Sequence, residues 1–226
     1  MPPAIWPRLP SAGQGACALG LSPGPALDRV LPALQALRLD HPNVTVEVVV
    51  ALSDQLCSQL LAGRLDFAVG RLPEGPRAEP LAFQAMEGEP IALIARRGHP
   101  LLRRAVPLTP EQVLDCDWIM PGPDSILTRA VIARLQSLGL PKPRQRILTA
   151  SFMLTLAILQ HSDAVAAVSR SNAPQFATGD AAAFDLLPLD LQIEVEVFGL
   201  ITRERVSLTP ASQRLADAIL HATEPD

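Results

Sequence analysis

The 226-residue chain has no tyrosine, a single lysine (Lys142) and only three cysteines. The first two scarcities read as compositional bias without functional content. The cysteines, Cys17, Cys57 and Cys116, stand far apart with no CxxC spacing, so neither a disulfide framework nor a zinc site is supported. Small buried thiols in a cytoplasmic protein are the plainer reading. No apolar stretch approaches the ~18 residues a spanning helix needs, and Met1 to Pro10, with four prolines and one arginine, is not followed by an h-region of ~7–15 residues. A membrane span and a secretory signal are therefore not expected. Basic residues are not clustered into a tail and the net charge is -4, which argues against a chain that grips nucleic acid unaided, since phosphate binding rests on grouped Lys and Arg.

What is present suits a folded chain with a genuine core: 48% hydrophobic residues, and 23 prolines that separate one apolar run from the next. From Ala16 onward, short apolar runs alternate with amphipathic segments. Cys17 to Leu21 predicts a strand, and Ser22-Pro-Gly-Pro a turn. Leu27, Val30, Leu31 and Leu34 then predict a helix ended by His41-Pro42. Val44 to Val50 follows at period two, Ser53 to Ala62 predicts a helix stopped by Gly63, and Leu65 to Gly70 a third strand. The same grammar restarts after Gly88. Expected there are strands Ile91–Ala95, Trp118–Met120, Arg146–Thr149 and Ala164–Val168, and another around Leu186 to Leu189. Helices are expected from Thr109-Pro, over Ser125–Leu138 (stopped by Gly139), Ser151–Gln160 and Ser171–Ala177. A single long strand from Ile193 to Thr202 and a closing helix Pro210–His221 complete two α/β units, with the long strand placed to cross from one to the other.

No catalytic constellation accompanies this pattern. GxSxG, P-loop, HExxH and GxGxxG motifs are all missing, and Gly13-Gln-Gly15 is an isolated pair in a leader (residues 1–15) read as disordered. His41 and His99 precede prolines where a turn or cap explains them; His161 and His221 suit helix ends. Asp66 is a lone acid beside a strand, and Arg96, Arg97, Arg103 and Arg104 read as a solvated loop. No enzymatic activity, cofactor or metal is expected. Ser22, Ser53, Ser125, Ser151 and Ser171 each stand where a strand or loop gives way to a helix. Serine is a preferred N-cap, but helix starts at the carboxyl edge of an open α/β sheet are also where anions and other ligands bind. The pattern favours a small anionic ligand.

Leu39-Asp-His-Pro-Asn-Val-Thr-Val-Glu-Val and Leu60-Leu-Ala-Gly-Arg-Leu-Asp-Phe-Ala-Val-Gly-Arg-Leu-Pro resemble the effector-binding domain of LysR-type transcriptional regulators. Gly98-His-Pro-Leu, Trp118-Ile-Met-Pro, Ser162-Asp-Ala-Val-Ala, Gly199-Leu-Ile-Thr-Arg and Leu208-Thr-Pro-Ala follow in the family's order. The wording is similar to the subgroup that includes galactose-binding-protein and protocatechuate-pathway regulators. The resemblance implies an α/β fold like type 2 periplasmic binding proteins: subdomain I (residues 16–89 plus 198–226) and subdomain II (90–197), joined by two crossover strands with an effector cleft between. It carries effector contacts onto Ser22, Pro23, Ser53, Pro121, Ser125, Thr149, Ser151, Val168 and Ser169. The implied effector is a small carboxylate or sugar-derived acid.

The resemblance also implies a homodimer or tetramer, with antiparallel pairing of subdomain I of one copy on subdomain II of the other through Leu27, Val30, Leu31, Leu34, Val46 and Val48. DNA would be bound only through an N-terminal winged helix-turn-helix domain, which Met1 to Gly15 does not encode. A solute-binding protein of a transport system shares the implied fold and is the alternative. An enzyme on the same scaffold, similar to porphobilinogen deaminase, would need an activated cysteine or a paired acid and base.

Overall fold

The computed structural model describes residues 15–22, 29–73, 75–86, 88–103, 107–123, 125–177, 182–195 and 197–221. The expected leader therefore lies outside the described residues, apart from Gly15, whose carbonyl accepts from the Thr45 N–H at 2.6 Å. The chain divides into two compact units. Unit 1 takes the chain up to Glu87 and again from Val197, and unit 2 takes Gly88–Glu196.

Unit 1 holds a five-stranded sheet in the order β2-β1-β3-β11-β4. Its strands are β1 (Ala16–Leu21), β2 (Thr45–Val50), β3 (Phe67–Gly70), β4 (Leu81–Ala85) and β11 (Gly199–Arg203). β1 pairs parallel with β2 and β3, and β11 runs antiparallel to β3 and β4. Helices α1 (Val30–Asp40), α2 (Ser53–Leu61) and α7 (Pro210–His221) cover it. The period of two in β1 divides its side chains between two faces. Cys17, Leu19 and Leu21 join Val30, Ala33 and Leu37 of α1 and Leu215, Ala216 and Ile219 of α7. Ala18 turns to the other face, where Leu56, Cys57 and Leu60 of α2 pack on Ala68 and Ile201. On that face Gly20 is required by space: a Cβ there would stand 2.6 Å from Leu65 Cδ1.

Unit 2 repeats the plan with the order β10-β5-β8-β6-β7, β9 also pairing β5. Its strands are β5 (Glu89–Arg96), β6 (Asp117–Met120), β7 (Arg144–Leu148), β8 (Val165–Ser169), β9 (Phe184–Leu186) and β10 (Ile193–Val195). The helices are α3 (Pro110–Leu114), α4 (Ile126–Ser137), α5 (Phe152–Gln160) and the short α6 (Pro174–Ala177). Trp118, Met120, Val165 and Ala167 pack with Val131 and Leu135 of α4, while Ile94, Ile119, Ala166 and Val168 pack with Leu159 of α5. Burying one such side chain contributes roughly 1.5–3 kcal/mol. The expected helix stops are in place: Gly63 and Gly139 follow α2 and α4 with φ of 65° and 72°, the left-handed geometry glycine takes most easily.

Two expectations need correction. The single strand expected over Ile193 to Thr202 is two strands. β10 pairs β5 in the sheet of unit 2, and β11 pairs β3 and β4 in that of unit 1. Gly199 opens β11 because a Cβ there would lie 2.3 Å from the Gln84 carbonyl oxygen and 2.6 Å from the Phe83 ring. The polar connection expected over Arg96 to Pro107 contains a 3-10 turn, Pro100–Arg103.

The residues that carry the family resemblance explain themselves structurally. Asp66 accepts from the Ala18 N–H (2.9 Å) and the Ser212 hydroxyl (2.8 Å), tying β1 and α7 to the start of β3. His99 Nδ1 accepts from the Leu101 N–H (3.1 Å), which leaves Nε2 to donate to the Asp163 carbonyl at 3.0 Å. The Trp118 indole donates to the Val113 carbonyl at 3.1 Å. Arg96 is paired to Asp163 at 2.6 Å and so is no free cation, while Arg104 lies outside the described residues.

Candidate functional site

In each unit the chain leaves the first strand of a parallel trio, adds the second on one side and the third on the other: β2-β1-β3 and β7-β6-β8. The carboxyl ends of the first and third strands therefore flank a topological switch point, the place where open α/β sheets bind ligands. The expected serines fall at these two edges.

At the edge of unit 1, Ser22 follows β1 and is bonded through its N–H to the Val69 carbonyl at 2.9 Å. It is 4% exposed, and among the described residues its hydroxyl has no hydrogen-bond partner. Burying a hydroxyl unpaired costs free energy unless something else satisfies it. Ser53, the first residue of α2, accepts from the Arg71 N–H at 3.1 Å; the N-cap is Leu52, and no side chain caps this helix. Between the two serines lies Gly70, on which a Cβ would stand 3.0 Å from Ser53 Oγ and 3.7 Å from Ser22 Oγ. The bare glycine lets the β3 backbone lie close to both hydroxyls at the start of a nine-residue helix. Ser22 does not cap α1 either, since the described helix begins at Val30 with Arg29 as its N-cap. Pro23 and Leu27 lie outside the described residues.

The edge of unit 2 is built differently. Ser151 caps α5, accepting from the Leu154 N–H at 3.3 Å, and Thr149 Oγ1 accepts from the Ser151 N–H at 3.1 Å. Ser169 shares a 2.8 Å bond with Ser171, which stands in the turn before α6 rather than on it. The Pro121 carbonyl accepts from the buried Thr128 hydroxyl at 3.0 Å. Ser125 is the N-cap of α4, yet its side chain makes no capping bond. Val168 points its side chain into the α5 face of the core and can offer a ligand only backbone.

Reading the serines alone missed two arginines. Arg71, the residue after Gly70, is 7% exposed, and Arg29 is 6% exposed. Both belong to unit 1, and among the described residues unit 2 has no comparably buried arginine or lysine. Arg71 directly follows the apolar run of β3, within the quoted Gly-Arg-Leu-Pro, and nothing in that run marks its charge as buried.

Cys17 and Cys57 do not form a reactive site. Burial, reinforced by nearby Asp66, pushes the Cys17 thiol up to about 11, and burial with nearby Asp54 does the same for Cys57. Thiols so raised are protonated at neutral pH and poor nucleophiles. Among the described residues no cluster of three His, Cys, Asp or Glu side chains could hold a metal, and no helix is long and apolar enough to cross a membrane. A groove of ≈ 440 Å³ in unit 2 lies at the opposite, amino edge of β6 and β7, lined in part by Asp117, Arg146, Ile147 and Ile158. It is remote from the carboxyl-edge hydroxyls.

The expected dimer residues divide in the same plain way. Val30 is 1% exposed and locked in the core of its own unit, because it shares the buried helical face with Ala33 and Leu37. Leu34 and Val46 are half-buried against that core. Leu31 and Val48 are exposed, as is neighbouring Val50 on the edge strand β2.

The model of the LysR substrate binding domain matches residues 11–224. The chain belongs to the LysR substrate-binding-domain family. Among its relatives, the HTH-type transcriptional regulator GbpR of Azospirillum brasilense is 32% identical over 93% of this chain and 61% of that protein. The regulator GalR of Pseudomonas putida is 30% identical over 91% of this chain and 49% of that protein. The chain thus spans half to three fifths of the length of these relatives. Solved structures share the fold. The effector-binding domain of QuiR in complex with shikimate superposes with a TM-score of 0.71 at 13% identity, covering 92% of this chain and 96% of that one. The regulatory domain of Synechocystis CcmR in complex with 2-PG gives 0.72 at 18% identity, covering 91% and 96%. Both match the expected α/β architecture of the LysR effector-binding domain.

Proposed function

We propose that this chain is the effector-sensing module of a LysR-type transcriptional regulator, acting in the cytoplasm on a small organic acid, a carboxylate or sugar-derived acid. The observation that carries the reading is the buried, unpartnered Ser22 hydroxyl beside Gly70 and Ser53 at a switch point. Ser22, Ser53, Pro121, Ser125, Thr149, Ser151 and Ser169, with the backbone of Val168, are the proposed contacts, and Pro23 is carried with them by resemblance. QuiR bound to shikimate, a carboxylate, supports the ligand class. In the whole regulator a winged helix-turn-helix domain would bind DNA. The effector would act by binding one state of the regulator more tightly than another, since only differential affinity shifts such an equilibrium.

A homodimer completes the proposal. Unit 1 exposes Leu31, Val48 and Val50 (60%), and unit 2 exposes Ile147, Leu148, Met153 (74%) and Leu154 on β7 and α5. These are the apolar surfaces an antiparallel pair would cover. Val48→Glu should then convert a dimer to a monomer in analytical ultracentrifugation.

The sensing role is tested by thermal-shift screening of organic acids and sugars. A ligand at 100 times its Kd stabilises the fold by about 2.7 kcal/mol. A bound acid whose affinity falls in the Ser22→Ala, Ser125→Ala double variant, with the fold retained, supports the placement. Unchanged affinity contradicts it.

A further inference from the structure

The groove at the amino edge of β6 and β7 lies wholly within unit 2, away from the carboxyl-edge hydroxyls. Its volume of ≈ 440 Å³ falls within the range of small-molecule pockets, about 300–1,000 Å³. Asp115 and Asp117, at the approach to β6, line it on one side, and Arg144 and Arg146 of β7 on the other. The register of the two strands slips here: Trp118 pairs with Gln145 and Ile119 with Ile147, so Arg146 is an extra residue on β7. Neighbours on a regular strand point to opposite faces, whereas a bulge re-aims them. Arg146 and Ile147 accordingly both line the groove. Ile147 and, from the last turn of α5, Ile158 supply its apolar part.

The charges that line the groove are paired but weakly engaged. Arg144 lies 3.6 Å from Asp115 and Arg146 3.4 Å from Asp117, and all four side chains are more than half exposed. Among the described residues the Arg146 side chain makes one hydrogen bond, to Asp117, and that of Arg144 makes none. Arg96 shows the contrast, gripping Asp163, which also lines the groove, with two nitrogens at 2.6 and 2.9 Å. Two carboxylates and two guanidiniums are thus left in loose, exposed pairs, which contribute little to stability and open at little cost. A lone anion on the arginines would stand beside two aspartates, and a lone cation on the aspartates beside two arginines. A zwitterion meets neither repulsion, because it gives each side the charge that the other side supplied. Adjacent strands stand about 4.8 Å apart, a span that only a short zwitterion bridges without folding back. We infer that this groove binds a free α-amino acid with an aliphatic side chain: the carboxylate on Arg146 and Arg144, the ammonium on Asp117 and Asp115, the side chain against Ile147 and Ile158. The planar guanidinium fork matches the two oxygens of the carboxylate.

The test titrates the protein by calorimetry with leucine and with two analogues that each lack one charge, isocaproate and isoamylamine, and follows the methyl signals of Ile147 and Ile158 by NMR. Leucine should bind at least tenfold more tightly than either analogue and shift both methyl signals. Arg146→Gln and Asp117→Asn should each weaken leucine about tenfold, within the range for a hydrogen bond to a charged group. Arg146→Gln should also lose the preference for leucine over isoamylamine, and Asp117→Asn the preference over isocaproate. Both side chains are more than half exposed, so the variants should keep the fold, which urea unfolding checks; Arg144→Gln replaces Arg146→Gln if it does not. No leucine binding, analogues that bind as tightly as leucine, unmoved methyl signals, or affinities unchanged in both groove variants overturns the proposal. Leucine binding lost in the Ser22→Ala, Ser125→Ala double variant and kept in Arg146→Gln would put the amino acid at the carboxyl edges, overturning the groove and leaving the sensing module standing.

Discussion

Unit 1 and unit 2 order their parallel strands alike, β2-β1-β3 and β7-β6-β8, and finish them differently. In unit 2 most of the hydroxyls at the carboxyl edge are spent on the protein: Ser151 caps α5, Thr149 holds the Ser151 amide and Ser169 bonds Ser171, while Ser125 makes no capping bond. In unit 1 the Ser53 hydroxyl accepts from the Arg71 N–H and leaves its helix uncapped, and the Ser22 hydroxyl is buried without a partner among the described residues. Ser53 and Ser151, at equivalent helix starts, are thus used differently: Ser151 caps its helix and Ser53 accepts from the Arg71 N–H instead. A polar group kept unsatisfied costs stability, so its retention points to something that satisfies it when bound.

If the difference is confined to the carboxyl edges, the clamps elsewhere in the two units should matter equally. Asp66→Ala in unit 1 strips partners from the Ala18 N–H and Ser212 hydroxyl, and His99→Ala in unit 2 does so to the Leu101 N–H and Asp163 carbonyl. Each should cost about 2–4 kcal/mol in urea unfolding. A large loss for only one of them would mean that the units differ throughout.

The next effect belongs to unit 1 alone. Cys17 and Cys57 rise from 9.0 unfolded to about 11 folded, so the stability they contribute is fully present below pH 9 and is lost as pH climbs from 9 through 11. Each thiol should account for up to about 2 kcal/mol over that window. The chain has no tyrosine and one lysine to obscure it. Urea midpoints that stay level between pH 8.5 and 10.5 would contradict the buried thiols. Smaller still, Ser151→Ala should cost about 1 kcal/mol as a lost N-cap, measured the same way.

Much of the fold could be read from periodicity. Alternation in Val44 to Val50, the glycine stops Gly63 and Gly139, and the Trp118–Met120 run located elements to within a few residues. β4 escaped because Leu81–Ala85 is short and pairs only with β11, some 120 residues later, behind a stretch rich in turn residues. The break between β10 and β11 escaped because nothing in an apolar run announces a change of sheet. The serines of the site were visible, but whether a hydroxyl caps a helix or waits for a ligand depends on where its oxygen finds a donor. Period two likewise could not tell that Val48 is exposed while Val46, on the same face of β2, is half-buried against the core. Arg71 was hidden for a related reason: burial of a charge is a property of the packed edge, and no local pattern encodes it.

Ser22 decides between a structural and a ligand-facing edge in unit 1, and one paired measurement distinguishes the two: the urea midpoint of Ser22→Ala together with its affinity for an acid that the wild type binds. Removing a buried hydroxyl that has no partner should leave stability within about 0.5 kcal/mol of wild type or raise it slightly, while affinity falls at least tenfold. A variant that unfolds earlier and binds the acid unchanged would show Ser22 to be structural and contradict a ligand-facing role.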